Sequence, residues 1–262
     1  MFAKINSSMT FTEIFLLYWD IIVAFFAIAI LYASVGFGGG SSYLAILALT
    51  TLEYTEIRAM ALICNIVVVS SSFILFYKNG LYNFKKVVPL VLISVPLAFL
   101  GGYLRIQEKA FFILLGITLL FAAILMLLSK REVLKYRTMS TSKIQNLSLG
   151  GSIGFISGLV GIGGGIFLAP LLHLTKWDSS KKIAATASLF ILLNSIAGLT
   201  GQLTNPNFNI NYKLTFFLII ATFIGGQIGT RIGIKLIHPF VLKKLTAVLI
   251  LYVAIRILLN YL

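Results

Sequence analysis

One pentapeptide is written twice in this chain. Gly36-Phe37-Gly38-Gly39-Gly40 returns 125 residues later as Gly161-Ile162-Gly163-Gly164-Gly165, and a valine precedes each copy (Val35, Val160). In a chain of 262 residues, each copy opens roughly one half. Both lie inside apolar segments. Glycine inside a helix costs about 1 kcal/mol relative to alanine, so such a run breaks a helix readily. Unwound backbone at membrane depth survives only where protein buries it or where it lines a cavity. The repeat therefore predicts a duplicated element that lines a pore or a substrate path.

The membrane reading comes from composition. Hydrophobic residues make up 59% of the chain and charged residues 11%, against ~25% charged in soluble domains. Mean hydropathy is +1.02. Several apolar runs reach the ~20 residues that span a bilayer. The fold class is an all-α polytopic membrane protein. The net charge of +14 does not indicate nucleic acid, because the basic residues are scattered through the loops and form no arm. They read as topology determinants. Cys64 is the sole cysteine, which excludes an internal disulfide. The first apolar run begins after Glu13 without a small-residue cleavage site, so it reads as a membrane segment rather than a signal peptide.

Taken in order, the chain divides into a first transmembrane repeat (1–128), a basic cytoplasmic linker (129–144) and a second repeat (145–262). Apolar segments run over 14–34, 43–52, 59–77, 87–104 and 110–128, then 145–160, 166–175, 183–203, 213–235 and 240–261. The pieces 43–52 and 166–175 rise only ~15 Å as helix, half a bilayer. Thr50/Thr175, Ala59/Ala184, Ser70/Ser195 and Gly101-Gly102/Gly225-Gly226 match between halves. Binding sites in repeat-built transporters lie at the repeat interface.

Charge chooses between two threadings. If 14–52 and 145–175 each cross once, the basic residues divide 11 to 10. If each glycine run is the tip of a re-entrant or broken helical hairpin that returns to its own side, each half keeps three full transmembrane helices. The division then becomes 15 to 6, with Lys4, Arg58, Arg105, Lys109, Lys213 and Arg256 on the poorer side. The K/R bias favours the second threading. It predicts two homologous halves in an inverted repeat, glycine tips meeting near the midplane and both termini outside.

Val35 to Gly40 and Val160 to Leu172, the latter continuing Ile166-Phe167-Leu168-Ala169-Pro170-Leu171-Leu172, resemble the paired glycine motifs of the TauE/SafE family of sulfite and organosulfonate exporters. The resemblance covers about residues 14–261. It implies a transporter of small anions, often sulphur oxyanions, driven by ion gradients in a bacterial-type plasma membrane. The first motif departs from the second by continuing Ser41-Ser42-Tyr43-Leu44-Ala45, with alanine where the second copy has Pro170.

An oxyanion leaving water needs donors. Backbone N–H groups of Gly38, Gly39, Gly40, Gly163, Gly164 and Gly165 can supply them, aided by the helix N-termini that start at Ser41 and Ile166. Candidate side-chain donors are Ser41, Ser42, Asn65, Ser70, Thr186, Asn194 and Ser195. The alternative for the glycines is close helix packing. For the hydroxyls it is a bond to the preceding helical turn. Asp20 is a candidate proton carrier or an interfacial carboxylate. Arg105 and Arg231 read as snorkelling span ends, with gating the alternative. Trp19 and Trp177 read as interfacial anchors.

His173 and His238 lack ligand-spaced companions, so neither a metal site nor a cofactor is expected. The partners expected are a small anionic substrate and the lipid bilayer, with no nucleic acid; a homo-oligomer stays open. An intramembrane enzyme would need paired carboxylates, a zinc motif or a Ser/His pair, and none is evident. Neither glycine run ends in G-K-[ST], which excludes an ATP-driven pump built from this chain alone. A channel remains the alternative to a secondary transporter, since glycine-rich tips also build filters.

Overall fold

The computed structural model describes residues 10–262 except 35, 129–142, 176, 207 and 233–238. Val35, Lys176, Lys235, His238 and all but the last two residues of the linker 129–144 therefore lie outside the described residues. Among the described residues every regular element is a helix. The first half holds α1 (Phe11–Ser34), α2 (Gly40–Leu47), α3 (Tyr54–Lys78), α4 (Phe84–Tyr103) and α5 (Glu108–Leu128). The second holds α6 (Lys143–Val160), α7 (Gly165–Leu174), α8 (Ser180–Leu203), α9 (Tyr212–Ile232) and α10 (Pro239–Tyr261). Among the described residues, α1, α3, α4, α5, α8 and α9 are long and apolar enough to cross a membrane, and α10 ends in a shorter apolar stretch, Ile250–Tyr261. The helix expected to start at Ser41 and run through 52 starts at Gly40 and stops at Leu47, where the Thr50 hydroxyl donates to Leu47 O and accepts from the Leu52 N–H.

Polarity is arranged as a bilayer demands. Leu16, Leu92, Phe121, Phe223, Val248 and Leu259 are exposed, whereas Asn65, Ser72, Ser94, Asn194 and Thr222 are buried. A bundle with its amides inside and its leucines outside is solvated by lipid and not by water. The chain is a multi-pass membrane protein.

Packing repeats when the two halves are exchanged. α1 packs on α9 as α6 packs on α4; α3 packs on α9 as α8 packs on α4; α2 lies against α3 and α10 as α7 lies against α8 and α5. Across the middle α3 meets α8, and α5 meets α10. Small residues make the α4–α6 seam. Gly150, Gly154 and Gly158 are four residues apart on α6, and a Cβ on any of them would strike a backbone carbonyl of α4 (Leu90, Ser94 and Ala98 respectively). Gly225 and Gly229 do the same on α9 against Phe26 and Ile30 of α1. Without a hydrophobic drive between helices in lipid, such backbone-to-backbone contact supplies the packing. Gly101 and Gly225 belong to these seams, while Gly102 lies against Gly198 of α8 and Gly226 against Val68 of α3.

Contacts at the helix ends fix which ends lie together. Phe11 at the start of α1 meets Phe216 and Phe217 at the start of α9, at ring separations of 6.1 and 6.0 Å. Tyr54 and Phe111 bring the starts of α3 and α5 together, and Phe112 stacks on Tyr261 at the end of α10. At the far end of α3, Phe73 packs against Tyr82, and Lys86 at the start of α4 reaches Asp178 between α7 and α8 at 3.1 Å.

Candidate functional site

The two glycine runs open the same way, although Gly163 and Gly164 are also left-handed, at +81° and +85°, whereas Gly39 has a φ of −95°. Gly36 and Gly161 take left-handed φ values of +81° and +90°, the conformation that ends a helix at its C′ residue. The amides of Gly161 and Ile162 both bond Ser157 O, closing α6, and those of Gly36 and Phe37 bond Ala33 O and Tyr32 O, closing α1. Four residues on, the first turns of α2 and α7 begin. Each run is therefore an unwound joint between a long helix and a short one.

Asn65, near the middle of α3 and 1% exposed, joins the two runs. Its Oδ1 accepts from the Gly40 N–H at 3.1 Å. Its Nδ2 donates to Ser195 Oγ at 3.0 Å and to Ile162 O at 3.4 Å. One side chain thus holds the start of α2, the second glycine run and α8. The backbones touch as well: a Cβ on Gly40 would strike Ile162 O, one on Gly38 would strike Asn65 Oδ1, and one on Gly163 would strike Asn65 Nδ2 and stand 2.6 Å from Ser195 Oγ.

The other candidates spread around this centre. Gly39 packs against Tyr43 and Ile28, Gly164 against Phe190, and Gly165 against Ile191. Ser41 is buried at the start of α2, and Ser42 shares a 2.8 Å hydrogen bond with the Tyr32 hydroxyl. Thr186 is buried in α8. Ser70 donates to Ile66 O of its own helix at 2.7 Å. Asn194, beside Ser195, turns away toward α4: its Nδ2 donates to Ser94 Oγ at 3.1 Å and to Phe190 O at 2.8 Å, while its Oδ1 is buried without a partner. Asp20 is exposed on α1 and accepts the amide of Ile21, so it stands apart from the glycine runs.

Two residues were misjudged from sequence. Arg58 was counted among loop charges, yet it is 1% exposed inside α3. Its Nη2 donates to Gly101 O at 3.2 Å, Gly102 O at 3.3 Å and Gly158 O at 3.0 Å, and its Nη1 to Leu104 O at 3.4 Å. The available signal was its place directly before the apolar run that starts at Ala59. Trp177 was expected at the interface and is instead buried. Lys86 donates to Trp177 O at 3.0 Å and sits 5.2 Å over its ring. Burial alone would push the Asp178 carboxyl up; the Ser179 amide and the Lys86 ammonium outweigh it and hold the group below its ordinary value.

Among the described residues, no ionisable side chain hydrogen-bonds to Asn65. The centre offers a bridging amide, hydroxyls and the first turns of two short helices, whose leading N–H groups have no intrahelical acceptor. Such ends favour anions.

The family model described as "Sulfite exporter TauE/SafE" matches residues 21–257. The chain is 35% identical over 193 residues to a "Probable membrane transporter protein y4hK" of Sinorhizobium fredii, covering 71% of this chain and 78% of that protein. It is 33% identical over 130 residues to a "Probable membrane transporter protein MJ0441" of Methanocaldococcus jannaschii, covering 47% and 46%. No solved structure matches it significantly. An interior built of amides and glycines inside lipid-facing helices, with a family match along nearly its whole length, makes this chain a membrane transporter that belongs to the TauE/SafE sulfite exporter family.

Proposed function

We propose that this protein is a secondary transporter that exports small anions, sulphur oxyanions such as sulfite or organosulfonates, across the cell membrane. The observation that carries the reading is the meeting of both glycine runs on Asn65. A substrate held there would take hydrogen bonds from the first turns of α2 and α7 and from Ser41, Ser42 and Ser195. It would need no buried cation in contact with it.

The two halves act as an inverted repeat, each glycine run tipping a broken hairpin. The exchange-symmetric packing and the clustering of helix starts and ends support this. Alternating access then amounts to rocking one half on the other about the α3–α8 contact while the tips stay near the midplane.

The test is flux of radiolabelled sulfite in proteoliposomes, with and without an imposed pH gradient, for wild type and Asn65→Asp. The variant keeps an acceptor for the Gly40 N–H but cannot donate to Ser195 and brings a negative charge to the tips. The expected result is saturable, gradient-dependent flux that falls at least tenfold in Asn65→Asp. Unsaturable flux indifferent to the gradient would mean a channel. Undiminished flux in the variant would remove the site from the glycine tips.

A further inference from the structure

Arg58 carries a charge that the hydrogen-bonding site does not use. Its guanidinium is buried and held by carbonyl oxygens alone: three at the end of α4 and one from Gly158 near the end of α6. Its Nε has no partner. No carboxylate forms a salt bridge with it among the described residues. Carbonyl dipoles at helix C-termini solvate a cation without cancelling its charge. The interior of the bundle thus holds a positive charge with no carboxylate partner among the described residues.

Arg58 is rooted two helical turns from the site. Arg58 precedes Asn65 by seven residues, two turns of α3, so both lie on one face of the helix, roughly 10 Å apart along its axis. A Cβ on Gly161 would stand 3.1 Å from the Arg58 Cα and Cβ. The second glycine run therefore begins against Arg58 and reaches Asn65 two residues later, where Gly163 lies against its amide.

We infer that Arg58 is a specificity-determining residue for the transported solute, acting through its field to select anions and to favour two negative charges over one. The inference rests on the anion-transport reading. At an effective dielectric of about 20, a unit charge about 10 Å away gains a factor of roughly fifteen in binding. A doubly charged solute gains that factor twice, roughly two hundredfold. A purely structural clamp would weaken both solutes alike.

Equilibrium binding of methanesulfonate, with one charge, and thiosulfate, with two, to the full-length protein in nanodiscs tests this. Arg58→Gln is expected to weaken methanesulfonate by roughly fifteenfold and thiosulfate by roughly two hundredfold. Arg58→Lys, which keeps the charge and loses the fork, is expected to keep the ratio of the two affinities at the wild-type value, and Arg58→Met, uncharged and apolar, repeats the test if Arg58→Gln does not fold. Equal loss of both anions in an uncharged variant, or a changed ratio in Arg58→Lys, overturns the inference and leaves the anion site standing. If wild type binds neither anion, the anion reading falls and the inference with it.

Discussion

Replacing Gly163 with alanine tests the meeting of the two glycine runs at its tightest point. Two costs are expected. The first is conformational: φ is +81° at this residue, and a left-handed backbone costs a side chain about 1–2 kcal/mol. The second is steric: the new methyl would occupy the position of Asn65 Nδ2 and stand 2.6 Å from Ser195 Oγ. Asn65 would have to swing away, leaving the Gly40 N–H and the Ser195 hydroxyl without their partner. A buried polar group left unpaired costs about 1–3 kcal/mol, so the displacement adds about 2–6 kcal/mol for the two. Gly80 is the control. It too is left-handed, at +62°, but a Cβ there meets nothing within 4 Å, so Gly80→Ala should show the conformational cost alone. Reversible unfolding in mixed micelles, followed by the fluorescence of buried Trp177, reads both variants. In an Asn65→Ala background the excess cost of Gly163→Ala should shrink, because the amide it displaces is gone. A Gly163→Ala variant that unfolds like Gly80→Ala, or that shows no coupling to Asn65, refutes the contact between runs.

Three further outcomes are expected. Gly158→Ala should cost about 1–3 kcal/mol or more in the same unfolding assay, because its Cβ strikes the Ala98 carbonyl of α4, whereas Gly116→Ala should cost less, since its close contacts are the Leu258 side chain, with Cγ at 2.7 Å, and the nearest backbone atom, Ala254 O, stands off at 3.5 Å. Because the Asp178 carboxyl is held below its ordinary value in the folded protein, its contribution to stability is present above the unfolded value, about 3.9, and is lost as pH falls through the lower folded value. Profiles of Tm against pH for wild type and Asp178→Asn should therefore differ at neutral pH and converge at the acid end; parallel profiles would contradict the Lys86–Asp178 pairing. In a Cys64→Ala background, an impermeant maleimide applied to intact cells should label Leu262→Cys and spare Asn79→Cys until the membrane is opened. Labelling of both from the same side would overturn the inverted threading.

Why was the centre of the site legible in the sequence when its most unusual charge was not? The glycine runs announce themselves because their requirement is local. A left-handed residue that closes one helix and an unwound joint before the next need glycine, whatever packs around them. An amide in an apolar run is nearly as informative, because Asn65 must find partners inside the membrane. What the sequence could not supply was the direction in which each side chain points. Asn194 and Ser195 are neighbours on α8, yet one faces Ser94 of α4 and the other faces Asn65, since consecutive helical residues project about 100° apart. Ser70 matches Ser195 in the repeat, but its hydroxyl is engaged with its own preceding turn, because the halves diverge in what lies opposite. Arg58 fails the local test altogether. Its acceptors, Gly101, Gly102, Leu104 and Gly158, lie 43 to 100 residues away, on helix ends that only the fold assembles. Its burial is tolerable only because four carbonyls converge on it, and no pattern around position 58 encodes their convergence. The charge count depends little on this residue: the positive-inside bias is a sum over loops, and moving one arginine from a loop into α3 barely changes it.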